Sequence, residues 1–237
     1  HKKFGYFIFF SYICKNKGYI MVKHTEKQLE ENYNKFLEAL KKSFSGERLK
    51  KLLHMYSMDE LGPNLMLSPA SGNVNYHNAY EGGYIDHVIN VSRNAIRMMR
   101  LYKEAGGIID FEQEELLFAA FHHDLGKLGD VGNLHYIKND SEWHIKNRGE
   151  VYKSNTDLSY LTHTDRTFFL LNKYGIQYTE KEYFGIKLTD GMYDEDNVKY
   201  LKTFDIKKAQ RSNIAHLLHF ADHMSTLIER DEANKPF

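Results

Sequence analysis

Three stretches of this chain carry residues whose types suit metal chemistry. They are His87 in "GGYIDHVINVSRNAI", the pair His123-Asp124 closing "LLFAAFHHD", and Asp222 in "AHLLHFADHMSTLIERD". Each stands inside or at the end of an apolar run, where an uncompensated carboxylate costs on the order of several kcal/mol of desolvation. A bound cation supplies the compensation. Successive helical residues diverge by about 100°, so His123 and Asp124 can face one ion only if it sits over a helix end. The chain loosens there into "LGKLGD", which presents Lys127 three residues after the aspartate.

The elements that must position these residues are helical by their periodicity. Leu29, Tyr33, Phe36, Leu37, Leu40 and Phe44 recur at three- and four-residue steps, which predicts an amphipathic helix over 25–45, capped by Thr25 and stopped at Gly46. A shorter helix is expected through Leu53. The stretch "LGPNLMLSPASGNVNYHNAYEGG" reads as a loop from its Gly, Pro, Ser and Asn content, and it carries His77. Further helices are expected near 84–103, 111–124, 165–174, 180–190 and 207–230. With three prolines and no run of alternating β-branched residues, strand signals are weak. The expected fold class is all-α: a helical bundle in which residues 21–66 form N-terminal helices packed on a core domain of 67–237.

The order His87, His123-Asp124, Asp222 resembles the H…HD…D signature of the HD-domain superfamily, whose members are mostly metal-dependent phosphohydrolases on an all-helical fold. The resemblance spans roughly residues 70–230. "GGYIDHV" is similar to the family's G-G-L-x-x-H-S/T opening, "HHDLGK" to its H-D-I/L-G-K core, and "LLHFADHMS" to its closing apolar-x-A-D segment. An HD dipeptide alone has almost no specificity; three segments in order, each with its characteristic neighbours, have much more.

The resemblance implies a metal held by His87, His123, Asp124 and Asp222. Two imidazoles and two carboxylates leave two positions of an octahedron open, a set that suits Mn²⁺, Fe²⁺, Ni²⁺ or Co²⁺ better than Mg²⁺. Asp124 and Lys127 are then the catalytic pair, the lysine neutralising charge on the phosphoryl oxygens. Some members hold a second metal with two more histidines. "LTHTDRTFFLLNKYG" matches the first of these at His163, but in "YFGIKLTDGMYDE" Thr189 stands where the second is expected, so either Asp190 beside it takes that place or the second metal is absent. His163 is otherwise a contact for phosphate or leaving group. "SPASGNVNYHNAYEGG" resembles a stretch ahead of the first ligand in HD-domain exoribonucleases, which brings His77 to the pocket rim. The loop "YIKNDSEWHIKNRGEVYKSN" offers Trp143, Arg148 and Tyr152, with Lys146, as a lid that stacks a base and grips phosphate, or else is a solvated surface loop. His122, His216, His219 and His223 match no motif position and are expected in ordinary structural roles, His122 with the further option of orienting a ligand.

Composition narrows the function classes. Lys+Arg and Asp+Glu are both 32, so no global field recruits nucleic acid or an anionic membrane. The single cysteine, Cys14, allows no internal disulfide and suits a reducing cytoplasm. The first twenty residues have a basic start and a short apolar run without a cleavage site, and are expected to be an upstream or non-native extension. The reading is therefore a cytoplasmic phosphohydrolase acting on a nucleotide or nucleic-acid end, with no membrane partner. Its alternatives are a regulatory HD module that binds metal or nucleotide without turnover, and a di-iron oxygenase on the same scaffold.

Overall fold

Thr25 closes the N-terminus of α1 (Glu26–Ser43) through a capping box with Gln28, and the helix buries Leu29, Tyr33, Phe36 and Leu40 along one stripe. The computed structural model describes residues 23–233 apart from 204 and 206; the expectation for residues 1–20 lies outside them. After α1 come α2 (Gly46–Met55), α3 (Gly62–Leu67), α4 (Gly83–Glu104), α5 (Gln113–His122), α6 (Glu142–Arg148), α7 (His163–Lys173), α8 (Glu180–Lys187), α9 (Glu195–Leu201) and α10 (Ile214–Ala233). The chain is mostly α, as expected. The loop expected over 61–83 contains the short helix α3, with Pro63 in its first turn, and the segment between α5 and α7 contains α6. Around α6 the described residues form one two-stranded antiparallel sheet, β1 (Tyr136–Lys138) with β2 (Tyr152–Ser154), Ile137 opposite Lys153. Three-residue strands are too short to leave a period-2 pattern in the sequence.

α10 lies along α4, α4 along α5, and α5 against α8. The N-terminal helices are fixed to this core by edge-to-face rings, Phe36 meeting Phe121 at 5.6 Å and Phe44 meeting Phe118 at 6.0 Å, while Phe36 meets Tyr56 at the end of α2 at 5.0 Å. Such pairs add about 0.5–1.5 kcal/mol each beyond area burial. A buried ion pair adds specificity, Arg48 of α2 donating to both oxygens of Glu182 on α8 at 2.7 and 3.1 Å. Two glycines permit the close approaches that shape the site. A Cβ on Gly126 would stand 2.0 Å from the carbonyl oxygen of His163, and one on Gly83 would stand 2.1 Å from that of Asn78. The first lets the start of α7 press onto the turn after Asp124. The second seats the loop carrying His77 against the start of α4.

Candidate metal centre and cleft

α5 ends at His122, with His123 as its C-cap, and Asp124 has already left helical geometry at φ −107° and ψ 10°. This is the helix-end arrangement that two adjacent ligands require. α4 brings His87 and α10 brings Asp222 to the same point. His87 Nε2 lies 3.2 Å from Asp222 Oδ1 and 3.7 Å from Asp124 Oδ2; His123 Nε2 lies 3.5 Å from Asp124 Oδ2 and 3.8 Å from Asp222 Oδ1. His87, His123 and Asp124 thus form a buried cluster that could hold a metal ion, and the partly buried Asp222 brings a second carboxylate to the same two rings.

The hydrogen bonds around the rings decide which atoms are offered. His123 Nδ1 lies 2.8 Å from the carbonyl oxygen of Ala120. A carbonyl only accepts, so this nitrogen carries the proton and a neutral ring presents a lone pair at Nε2. That Nε2 is buried and has no hydrogen-bond partner. His87 Nδ1 is 2.9 Å from Glu229 Oε2, and Asn90 donates to the other Glu229 oxygen at 2.8 Å. Burial alone would lower the His87 pKa, but the carboxylates of Asp222 and Glu229 carry it up to about 10. An imidazole held so strongly between carboxylates marks a site where positive charge is favoured. The donor set fits a transition metal: mixed nitrogen and oxygen, one orphaned lone pair, and a partner fixing each outward nitrogen.

Lys127 Nζ lies 2.7 Å from Asp124 Oδ2. Burial opposes the Asp124 charge, yet Lys127 and the two ligand histidines hold its carboxyl well below the usual range. Burial likewise opposes the lysine's charge, and Asp124 raises its pKa above the ordinary value. Both stay ionised at neutral pH.

A cleft of about 410 Å³ opens over this point, with Asp124 and Lys127 at its floor and His77, His163, Asp190, Tyr136 and Tyr152 on its walls. The His77 ring stands 4.5 Å from that of His87 and neither of its nitrogens has a partner. Burial first, then the neighbouring His87 and Lys127, lower its pKa to about 3. His163 begins α7, its ring 4.6 Å from His135, and burial and Lys127 lower its pKa to about 4. Both rings are neutral at pH 7, each offering one N–H and one lone pair. Asp190 is raised, first by burial and then by Asp124. Thr189 is turned away: its hydroxyl donates to the Gly185 carbonyl oxygen at 2.6 Å. His219 fastens this loop by donating Nδ1–H to the Thr189 carbonyl oxygen at 2.6 Å. His122 packs between Phe118 and Tyr56 with Nδ1 on the Phe118 carbonyl oxygen, which is a core role.

The cleft's outer wall comes from residues 71–74, which run beside β2: Tyr152 N–H donates to the Gly72 carbonyl oxygen at 3.0 Å and Val74 N–H to that of Gly149 at 2.9 Å. Of the lid residues, Tyr152 lines the cleft, whereas Trp143 and Arg148 do not. Trp143 is 57% exposed, with the Arg148 guanidinium 5.4 Å above its ring. Arg148 serves the cleft through its carbonyl oxygen, which accepts from Asn73 and Asn75 at 2.8 and 3.2 Å. Tyr136 and Glu150 were not named as site residues, the aromatic-rich 136–153 segment being their signal; Ser71, Gly72 and Asn73 lie in the stretch that brings His77 to the rim, but only His77 was named from it. Asn90 and Glu229 also escaped it, although they stand three residues after His87 and seven after Asp222, on the same helix faces.

The chain shares a stretch of 68 residues, at 32% identity, with the dihydroneopterin 2',3'-cyclic phosphate phosphodiesterase of Methanocaldococcus jannaschii. The match covers 29% of this chain and 26% of that protein, so it spans about a quarter of the relative's length. No family model matches the chain, and no solved structure matches it. Among the described residues, no helix is long and apolar enough to cross a membrane.

Proposed function

We propose that this chain is a metal-dependent phosphohydrolase of the HD type, cleaving a small phosphate ester that carries a flat, base-like ring. One observation carries the reading: the buried His123 Nε2 lone pair has no protein partner and faces the Asp124 and Asp222 carboxylates beside His87 Nε2. A buried lone pair without a donor is costly unless a ligand occupies it. His87, His123, Asp124 and Asp222 would hold the ion, with Mn²⁺, Fe²⁺, Ni²⁺ and Co²⁺ favoured over Mg²⁺ by the nitrogen ligands. When bound, the ion lowers the pKa of coordinated water and polarises the phosphorus centre.

The chain's own residues do the rest. Lys127 supplies fixed positive charge for the phosphoryl oxygens, and the neutral rings of His77 and His163 supply N–H donors along the same wall. Asp190 lines the same cleft, its carboxyl raised by burial and then by Asp124, and is the group placed to take part in proton transfer to the leaving-group oxygen. Tyr136 and Tyr152 give the cleft aromatic faces on which a ring can stack. The relative's activity on a cyclic phosphodiester is in keeping with this chemistry. A screen of nucleoside monophosphates, nucleoside and pterin 2',3'-cyclic phosphates, short RNA and a chromogenic diester, each with Mn²⁺ or Fe²⁺, tests the proposal. Hydrolysis of one base-bearing class is the expected outcome. Failure to hydrolyse any ester by protein shown to contain metal would refute it, and hydrolysis of the chromogenic diester alone would remove the base.

A further inference from the structure

Glu229 is 4% exposed and lies two turns beyond Asp222 on α10, so one face of that helix supplies a carboxylate to the centre and a second carboxylate behind it. The second does not face the cleft. Its Oε2 is 2.9 Å from His87 Nδ1 and its Oε1 takes the Asn90 amide at 2.8 Å. Asn90 stands one turn after His87 on α4, so the two donors reach the carboxylate from one helix face and hold it between them. A buried carboxylate held by two donors has little rotational freedom. It fixes the His87 ring plane, and it requires Nδ1 to carry the proton and leave Nε2 as the donor atom.

We infer that Glu229 is a positioning residue of the metal centre, which orients His87, sets its tautomer and strengthens Nε2 as a ligand by placing negative charge behind the ring. The inference rests on the metal-site reading proposed above. It gives Glu229 a graded role. Glu229→Gln keeps an oxygen for Nδ1–H but removes the charge, whereas Glu229→Leu removes both. Carboxylates that hold the far nitrogen of a metal-binding imidazole change metal affinity by roughly 10–100-fold when removed. Metal dissociation constants measured by competition with a chromogenic chelator should weaken about 10-fold for Glu229→Gln and closer to 100-fold for Glu229→Leu. Far-UV circular dichroism should keep its helical signature in both. A graded loss at unchanged fold, with Glu229→Gln retaining more affinity than Glu229→Leu, is a pattern that a merely structural role would not produce.

If Glu229→Leu does not fold, Asn90→Ala frees one carboxylate oxygen without adding bulk and should weaken metal binding by a few-fold. Wild-type protein that binds no transition metal would overturn the metal site itself. Wild-type binding with an unchanged constant in Glu229→Gln, and in Glu229→Leu or Asn90→Ala, would overturn the positioning role alone. His77, His87 and Glu229 also lie close enough together to share an ion. Two ions per wild-type chain, one of them lost in both Glu229→Gln and His77→Ala, would make Glu229 a ligand and overturn its role behind the ring.

Discussion

Replacing Lys127 with methionine keeps most of the side chain's length and removes its charge, and the structure fixes effects of opposite sign on rate and on metal binding. Lys127 Nζ sits 2.7 Å from Asp124 Oδ2, with the side chains 15% and 10% exposed. A unit charge about 4 Å from developing phosphoryl charge, at an effective dielectric of about 20, is worth at most about 4 kcal/mol. That corresponds to roughly a thousandfold in rate, and loss of a single fixed donor in such sites costs about 10²–10³-fold. The kcat for a phosphodiester should therefore fall by about two to three decades. The ion, by contrast, is repelled by the lysine, so the metal dissociation constant should stay the same or tighten. Metal-free protein should lose about 3 kcal/mol of stability, because a buried carboxylate loses its partner, and added metal should restore it. Steady-state kinetics, metal analysis and thermal melts with and without a chelator read the three effects. A rate within threefold of wild type, or loss of the metal along with the lysine, would refute the assignment of Lys127 to the phosphoryl group.

Asp124→Asn removes a ligand charge at the helix end and should reduce bound metal, by elemental analysis, to a small fraction of one ion per chain while the helical signal persists. Arg48→Leu strands Glu182, which is 0% exposed, and should cost about 3–5 kcal/mol in urea unfolding; Arg48→Leu with Glu182→Leu should recover most of it. Tyr152→Ala should raise KM for a base-bearing ester but not for a small chromogenic diester, and Trp143→Ala should change neither, since Tyr152 lines the cleft and Trp143 does not. His135 is pushed down to about 4, by burial and then by Arg166. A histidine neutral in the fold at a depressed pKa contributes stability above the ordinary value of 6.5 that is lost as pH falls towards 4. Its ring resonances should titrate near pH 4, and His135→Gln should flatten the loss of stability across that window.

The helices were legible because each buries a stripe. Leu29, Tyr33, Phe36 and Leu40 are buried in α1, and their spacing in the chain already shows it. Thr25 and Gln28 likewise announce the cap. The short elements were not legible, for a physical reason. α6 has no buried residue and is defined by its Ser141 cap and the Gly149 turn. β1 and β2 take their register from each other and from residues 71–74, a long-range pairing that no local window contains. The boundary of α10 is a related case. Helical pattern was expected from 207, but the helix starts at Ile214, after a polar segment whose Ser212 and Asn213 are fixed from outside by Asp110.

The centre shows the same division between what a motif encodes and what packing adds. His87, His123, Asp124 and Asp222 stand out because a polar residue in an apolar run needs a partner, and the fold brings His87, His123 and Asp124 into one cluster with Asp222 beside both rings. Glu229 obeys the same physics but did not stand out, since "LIERDE" at a chain end has the composition of a solvated helix terminus. Only the crossing of α10 over α4 buries it. Trp143 is the converse: the lone tryptophan in a basic loop is the residue type most suited to stacking a base, yet α6 turns it outward and leaves the cleft to Tyr136 and Tyr152. Residue type thus indicates which chemistry a side chain can perform, and burial indicates whether it is in a position to do so. For this chain the second criterion adds Glu229 to the candidate centre and leaves Trp143 outside the cleft.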